Sequence, residues 1–181
     1  TIAGKVTLDA SIKYTLSSSY IVKSGGELVI PAGTKIEAAA GGTDVYIAIL
    51  KGGKIDIQGT AAMPVVISSV AAKPGDWGGL TICGSATTTA GVDAKAEVGG
   101  FIYGGTNDAD NSGSVKYLVI KGTGAQINTD SQYNGVSLYA VGSGTTIENV
   151  SIINGKDDGI EFFGGTVSAK NVYLENNADD S

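Results

Sequence analysis

A repeat with a spacing of 22 residues near the C-terminus constrains the fold of this chain more than any other feature. Residues 148–154, Glu-Asn-Val-Ser-Ile-Ile-Asn, align with residues 170–176, Lys-Asn-Val-Tyr-Leu-Glu-Asn. A second pair of segments, residues 134–136 and 158–160, repeats at a spacing of 24. Repeats of this length are typical of a solenoid, in which each repeat forms one turn of a coil.

The apolar residues occur in short runs, which indicates strands rather than helices. Residues 27–30, 46–50 and 117–120 are examples, and each run is closed by Gly, Asn or Asp within a few residues. No stretch shows the 3.6-residue periodicity of an amphipathic helix, and the leucine-rich-repeat signature is missing. The sequence therefore predicts an all-β chain: a right-handed, single-stranded parallel β-helix with rungs of about 22–24 residues and a few loop excursions.

The repeat makes chemical sense when successive turns are stacked about 4.8 Å apart. Apolar residues would lie over apolar residues in the interior, and asparagines would form ladders of side-chain amides, which stabilise stacked strands. Of the 28 glycines, the pairs at 25–26, 52–53 and 164–165 would supply corners. The predicted stacks are Val150 on Val172, Ile152 on Leu174, Asn149 on Asn171, Asn154 on Asn176 and Glu148 on Lys170.

The organisation predicted along the chain is one β-helix domain over residues 1–181. Residues 1–20 would form an N-terminal cap or the first rung, and the chain would end mid-repeat. Residues 84–114 are small and polar and predict a loop-rich excursion, with a further excursion at 122–133. Loops that leave a solenoid often lie on one side and form its binding surface.

The charge composition excludes several classes of function. The chain has no His, and its 12 basic residues are all Lys; with 18 acidic residues the net charge is −6. Catalysis by Ser-His-Asp or Cys-His, histidine-bound zinc and arginine clamps for phosphate are thereby ruled out. The acidic balance argues against nucleic acid, and no apolar run is long enough for a membrane span. Cys83 lies in an apolar run and is expected to be an inert core residue rather than a reactive thiol.

Several motifs resemble a known family. They are Gly-Asp-Trp-Gly-Gly-Leu at 75–80, Tyr-Gly-Gly at 103–105, Asn-Ser-Gly at 111–113, Gly-Ser-Gly-Thr-Thr-Ile at 142–147 and Asp-Asp-Gly-Ile-Glu-Phe-Phe-Gly-Gly-Thr-Val at 157–167. In this order they resemble secreted or cell-surface parallel β-helix proteins of Bacteroidetes and marine bacteria, described as lipoproteins or secretion-sorted proteins. The resemblance implies a right-handed parallel β-helix outside the cytoplasm, whose targeting segment is absent from this chain, and it implies no reaction.

Two groups of acidic residues are candidate calcium sites, and calcium is the one cofactor that the sequence suggests. The 22-residue spacing places Asp157 and Asp158 over Asp179 and Asp180, and four crowded carboxylates need a cation, a proton or hydrogen bonds. The alternative is a solvated turn in which the carboxylates cap backbone N–H groups.

The second candidate calcium site lies in the loop-rich excursion. Asp108, Asp110 and Ser112 have the spacing that begins many calcium loops, but position 119 is Val, where such a loop has a bidentate Glu. The alternative is an ordinary polar turn.

Carbohydrate is the ligand class for which the sequence offers candidates. Asp157, Asp158 and Glu161 could provide part of the carboxylate set of a glycosidase, although such enzymes on β-helices also use His and Arg, which this chain lacks. Aromatic residues that flank turns could dock sugars; the candidates are Trp77, Tyr103, Tyr133 and Tyr139. Of Phe162 and Phe163, at least one should point into the coil.

The sequence as a whole predicts a non-catalytic extracellular module with a structural or adhesive role. The alternative is a carbohydrate-binding or carbohydrate-active β-helix. The expected partners are a polysaccharide and further copies of the chain, because an open β-helix end exposes unpaired strand edges that could stack end to end into a filament.

Overall fold

The computed structural model describes residues 1–179, and these residues form eighteen β-strands and no α-helix. No helix that could cross a membrane is found within this part of the chain. The strands are β1 (Lys5–Thr7), β2 (Lys13–Leu16), β3 (Tyr20–Val22), β4 (Glu27–Pro31), β5 (Lys35–Ala38), β6 (Ile47–Ile49), β7 (Lys54–Gln58), β8 (Val65–Ser69), β9 (Leu80–Cys83), β10 (Ala94–Lys95), β11 (Ile102–Tyr103), β12 (Gly113–Lys121), β13 (Gln126–Asn128), β14 (Ser131–Gln132), β15 (Val136–Tyr139), β16 (Thr146–Ile153), β17 (Ile160–Phe163) and β18 (Ala169–Glu175).

The strands stack in parallel on three faces of a coil. The first face contains β1, β4, β7 and the N-terminal halves of β12, β16 and β18. The second contains β2, β5, β8 and the C-terminal halves of the same three long strands. The third contains β3, β6, β9, β15 and β17. The predicted all-β chain with a parallel β-helix is thereby confirmed.

The long strands bend between the first and second faces at residues with positive φ. Tyr117, Asn149 and Asn171 have φ of 50°, 57° and 54°, a left-handed conformation that Asn tolerates better than most residues. The predicted amide ladders are confirmed, since Asn171 Nδ2 donates to Asn149 Oδ1 at 3.1 Å and the Asn176 amide donates to Asn154 at 3.3 Å. Asn149 and Asn171 therefore form both the bend and one of the two ladders, whereas Asn154 and Asn176 lie in the turns that follow β16 and β18.

The predicted repeat length is correct at both ends of the coil and wrong in its middle. The register offset is 22 residues between β1 and β4 and between β16 and β18, and 24 between β15 and β17. Between β7 and β12, however, the offset is 58, because residues 84–112 leave the coil between β9 and β12. The predicted pairing of Glu148 with Lys170 is confirmed, with 4.0 Å between Nζ and Oε1.

Two separate apolar cores result from this topology. The main core fills the coil with Ile, Val and Leu from all three faces. A second core lies outside the third face, on β9 and β15. It is completed by residues 94–103, which contain the antiparallel hairpin β10–β11, and by residues 125–133, which contain the hairpin β13–β14. Cys83 belongs to this second core; it is fully buried, and burial raises its pKa to about 12, so its predicted place in the core is confirmed.

The prediction that four aromatic residues dock sugars is wrong, because all four are buried. Trp77, Tyr103, Tyr133 and Tyr139 expose 0%, 6%, 3% and 1% of their surface. Trp77 packs in the main core and its Nε1 donates to the Lys121 carbonyl at 2.8 Å, while the tyrosines build the second core.

Of the two adjacent phenylalanines, Phe163 stacks on Tyr139 in the second core with a ring separation of 4.0 Å. Phe162 lies in register with Leu138, an interior residue of the coil, and yet exposes 45% of its surface. The prediction that one of the pair points into the coil agrees with this register.

Candidate functional site

The turn between β16 and β17 carries two of the predicted acidic residues, Asp157 and Asp158. The turn begins at Asn154, whose φ is 59°, and Asn177 holds it from the following turn by accepting the Gly155 N–H at 2.9 Å. Lys156 N–H donates to the Thr123 carbonyl at 3.0 Å, which fixes the turn against the previous one. The two aspartates are thus presented by a tightly tethered turn.

Three of the four aspartates predicted to stack fall within the described residues, and the charges of Asp157 and Asp179 interact. Burial raises the pKa of Asp157, and the charge of Asp179 raises it further. The predicted approach of Asp157 and Asp179 is therefore present. Asp180 lies outside the described residues.

Glu161 adds a half-buried carboxylate next to this turn. It lies on the outer side of β17, where the Asn134 Nδ2 amide donates to Glu161 Oε2 at 2.7 Å and to Ser137 Oγ at 3.1 Å. Burial raises the pKa of Glu161; the hydrogen bond from Asn134 lowers it, and the charges of Asp158, Glu97 and Asp157 raise it again. The net result is a raised pKa for Glu161.

Glu97 completes this acidic group, and it was not among the site residues predicted from the sequence. It lies in the excursion between β10 and β11, and burial together with the charge of Asp157 raises its pKa. Tyr139 lies close enough to Glu97 and Glu161 for both charges to raise the pKa of its phenol, after the larger effect of burial. We name Glu97, Asp157, Asp158, Glu161 and Asp179 the acidic cluster.

A polar groove of about 700 Å³ is lined in part by Lys156, the residue that precedes Asp157. Its walls come from four successive turns that lead into the third face: residues 41–43, Gly75, residues 125–129 and Lys156. Because successive turns stack along the coil, the groove runs in the direction of the coil axis. It is therefore shaped for an extended ligand rather than for a compact one.

Glycine and lysine shape the floor of the groove together. Gly75 has a φ of 82°, and a Cβ at this position would lie 2.9 Å from Lys156 Cδ, so the lysine chain lies directly over the glycine. Lys156 is the charged side chain among the lining residues, and Asp157 follows it in sequence. The turn between β16 and β17 consequently contributes one residue to the groove and two to the acidic cluster.

The remaining polar lining groups are neutral donors and acceptors, and Ile127, which exposes 42% of its surface, adds an apolar group. Gln126 and Asn128 bring amides, and Thr43 and Thr129 bring hydroxyls. The hairpin β13–β14 that carries three of these residues is held by the Asn128 side chain, whose Oδ1 accepts the Asp130 N–H at 2.8 Å. The sequence analysis identified residues 122–133 as an excursion but did not identify this groove.

The second predicted calcium site has a structural role in the fold. The Asp110 carboxylate accepts hydrogen bonds from Ser85 Oγ at 2.7 Å, Ser112 Oγ at 3.0 Å and Gly142 N–H at 3.3 Å. The Asp108 carboxylate instead accepts the Thr87 N–H at 2.8 Å, and this bond lowers its pKa. These bonds fasten the excursion to the coil.

Residues 1–179 offer no additional candidate metal site. Within residues 1–179 no group of three or more His, Cys, Asp or Glu side chains is arranged to hold a metal ion. Calcium at either group of aspartates stays a prediction.

The comparison with known proteins gives one family. The entire chain, residues 1–181, matches the family model of the pectate-lyase like beta helix domain. No curated protein and no solved structure matches the chain.

Proposed function

The chain belongs to the pectate-lyase-like β-helix domain family, and from this membership we propose that it is a non-catalytic module that binds a neutral polysaccharide in the polar groove. The observation that carries the proposal is the groove itself, which spans four turns and whose polar lining groups are amides, hydroxyls and one ammonium group, with Ile127 as an exposed apolar contact. A saccharide chain presents hydroxyl groups at regular intervals, and these groups both donate and accept hydrogen bonds. Lining groups of the same two kinds fit such a ligand.

The charge of the protein favours a neutral ligand. The net charge is −6, and Asp157 and Asp158 directly follow the groove residue Lys156 in the sequence. A polyanionic chain would be repelled over the whole surface, whereas a neutral chain would not. The buried aromatics leave hydrogen bonding as the main source of affinity, so binding should be of moderate strength and should depend on contact with several turns.

A binding test can use a side chain that fills the groove. Thr129→Trp would occupy the space next to Asn128, and we expect loss of binding to neutral glucans, xylans or mannans on a glycan array and in calorimetry. Thr89→Trp is the matched control, because Thr89 is exposed in the excursion away from the groove. Equal binding by both variants and the parent chain would overturn the assignment of the groove.

A second candidate function is carbohydrate cleavage, and the acidic cluster favours it. Glu161 and Asp157 are neighbouring carboxylates whose pKa values are both raised, and a pair of carboxylates is the usual equipment of a glycosidase. We favour the non-catalytic role because β-helix enzymes also use His or Arg, and the chain contains neither.

Release of reducing sugars from polysaccharides distinguishes the two functions. The non-catalytic proposal predicts none above the level of a Glu161→Gln variant. Activity that this substitution abolishes would instead identify the acidic cluster as catalytic.

Two further proposals concern the handedness of the coil and the location of the protein. We propose a right-handed, single-stranded coil, since crossover connections between parallel strands are right-handed in about 98% of cases. We also propose an extracellular or cell-surface location with an adhesive role, supported by the resemblance of the motifs at 75–80 and 157–167 to secreted surface proteins. Detection of the protein on intact cells by antibody, before and after surface proteolysis, would test the location.

A further inference from the structure

The four turns that line the groove are tied to one another by backbone hydrogen bonds. Gly42 N–H donates to the Asp76 carbonyl at 2.8 Å, and Gly75 N–H donates to the Thr123 carbonyl at 2.7 Å. The same carbonyl of Thr123 accepts the Lys156 N–H at 3.0 Å. These bonds keep successive turns at the strand spacing of a parallel stack, about 4.8 Å. The lining groups of the groove therefore recur along the coil axis at a fixed interval.

Glycine leaves the backbone of the 41–43 turn open to a ligand. Gly42 has a φ of 59°, and a Cβ at this position would meet no atom within 4 Å. Because Gly42 also lines the groove, this open space is part of the groove. Glycine is the residue that lets a ligand approach the backbone so closely. A sugar ring can thus rest directly on the backbone of this turn.

The Lys156 side chain extends along the floor of the groove. Lys156 belongs to the last of the four turns, and yet its Cδ lies 2.9 Å from the position of a Cβ on Gly75, two turns earlier. The lysine chain therefore runs with the coil axis instead of across it. Within residues 1–179 its ammonium forms no ion pair, so its N–H groups are available to the oxygens of a ligand.

The hairpin β13–β14 forms a side wall that has both polar and apolar character. Gln126 and Asn128 offer amides, and Ile127 between them exposes 42% of its surface. Sugar rings carry hydroxyl groups at their edges and C–H groups on their faces. The lining residues of the described chain include no aromatic ring. Ile127 is therefore the group that the C–H face of a sugar would contact.

From these observations we infer that the groove selects an extended, β-linked saccharide chain and holds one sugar unit at each of its four turns. This selectivity rests on the proposed binding of a polysaccharide and adds the class of chain. In an extended chain such as cellulose, xylan or mannan, successive sugar units advance by nearly the spacing of the turns, so each unit meets the next turn in the same way. A helical chain such as amylose advances less per unit and loses this match.

Chain length gives the first test. Isothermal titration calorimetry with β-linked gluco-, xylo- or manno-oligosaccharides of two to six units measures the affinity of the parent protein for each length. We expect the affinity to rise about three- to tenfold with each added unit up to four, because each unit forms hydrogen bonds with a further turn, and to stay constant beyond four. Malto-oligosaccharides of the same lengths should bind more weakly and show no such plateau.

Substitution of Gly42 gives the second test. Gly42→Asn would place an amide in the open space above the 41–43 turn, and Asn tolerates the positive φ. Because one subsite would be lost, the plateau should move from four units to three, and the affinity for the four-unit chain should fall about three- to tenfold. Gly91→Asn is the matched control and should change neither value. Gly91 also has a positive φ and open space at its Cβ, and it lies in the excursion outside the groove lining.

Substitution of Ile127 gives the third test. Ile127→Ser removes the apolar contact, and the affinity for the four-unit chain should fall about three- to tenfold. Ile102→Ser is the matched control and should bind like the parent protein, since Ile102 exposes 41% of its surface and lies on the other excursion hairpin, β10–β11. Unchanged binding by Ile127→Ser would remove the hairpin β13–β14 from the contact and contradict one unit per turn.

The possible results distinguish the chain class from polysaccharide binding itself. Equal affinity for two-unit and six-unit chains, equal affinity for malto- and β-linked oligosaccharides, or a plateau that Gly42→Asn leaves at four units would overturn the inference and leave polysaccharide binding in place. Failure of every neutral polysaccharide and oligosaccharide to bind would overturn the proposed function as well. Folding of each variant is verified by its β-sheet circular dichroism and melting temperature.

Discussion

Replacement of Asn149 tests the physical explanation of the bend between the first and second faces. The side chain accepts a hydrogen bond from the Asn171 amide at 3.1 Å, and the backbone has a φ of 57°. Asn149→Ala removes the hydrogen bond and also places an ordinary L-residue in the left-handed region. Asn149→Gly removes the same hydrogen bond but tolerates the backbone conformation.

The expected losses follow from these two contributions. A hydrogen bond of this kind contributes about 1 kcal/mol, and the left-handed conformation costs an ordinary residue about 1–2 kcal/mol. We expect Asn149→Ala to lower the free energy of unfolding by about 2–3 kcal/mol and Asn149→Gly by about 1 kcal/mol less than that. For a chain of this size each kcal/mol corresponds to about 2–4 °C in melting temperature.

Equilibrium unfolding in urea, followed by circular dichroism, measures both values. Asn107→Ala is the control, because Asn107 is exposed, is outside the ladders and lacks a positive φ. If the alanine and glycine variants were equally stable, strain at this position would not contribute. If neither differed from the parent chain, the ladder would have no part in stability.

Three further predictions concern titratable groups and calcium. Glu161→Gln should raise the melting temperature at pH 7. Because the pKa of Glu161 is raised in the folded protein, its contribution to stability is present at low pH and is lost as pH rises through the folded pKa. The variant should therefore lose less stability than the parent chain between acidic and neutral pH, and an unchanged pH profile would contradict the assigned repulsion. Cys83 should react with a thiol reagent only as fast as the protein unfolds, since it is buried with a pKa of about 12; rapid reaction of the native protein would refute its assignment to the second core. Calcium should raise the melting temperature and a chelator should reverse the effect if Asp157 and Asp158 bind the ion, whereas an unchanged melting temperature would assign them to a solvated turn.

The parts of the fold that could be predicted from the sequence are those that repeat. Glu148 is separated from Lys170 by one uninterrupted turn of the coil, and so is Asn149 from Asn171. Matching residues at a fixed spacing therefore revealed which side chains stack. Between β7 and β12 the insertion of residues 84–112 interrupts that spacing, and no periodic signal remained from which the register could be determined.

The candidate site could be predicted only in part for the same reason. Asp157, Asp158 and Glu161 lie close together in the sequence, within one uninterrupted turn of the coil, and were identified. Glu97 instead approaches them from an excursion whose path depends on tertiary packing. The aromatic residues near turns were assigned to the surface because a sequence does not show what covers a turn. Tyr133 and Tyr139 are covered by residues of the two excursions, which together form the second core.

Hydrogen–deuterium exchange with and without a saturating neutral polysaccharide measures whether the groove is the surface that binds it. We expect slower exchange in the four turns that line the groove, residues 41–43, Gly75, residues 125–129 and Lys156, with little change in the hairpin β10–β11. Protection confined to residues around Glu97 and Glu161 would move the binding site to the acidic cluster. Absence of protection anywhere, with a polysaccharide shown to bind, would contradict the groove as the binding surface.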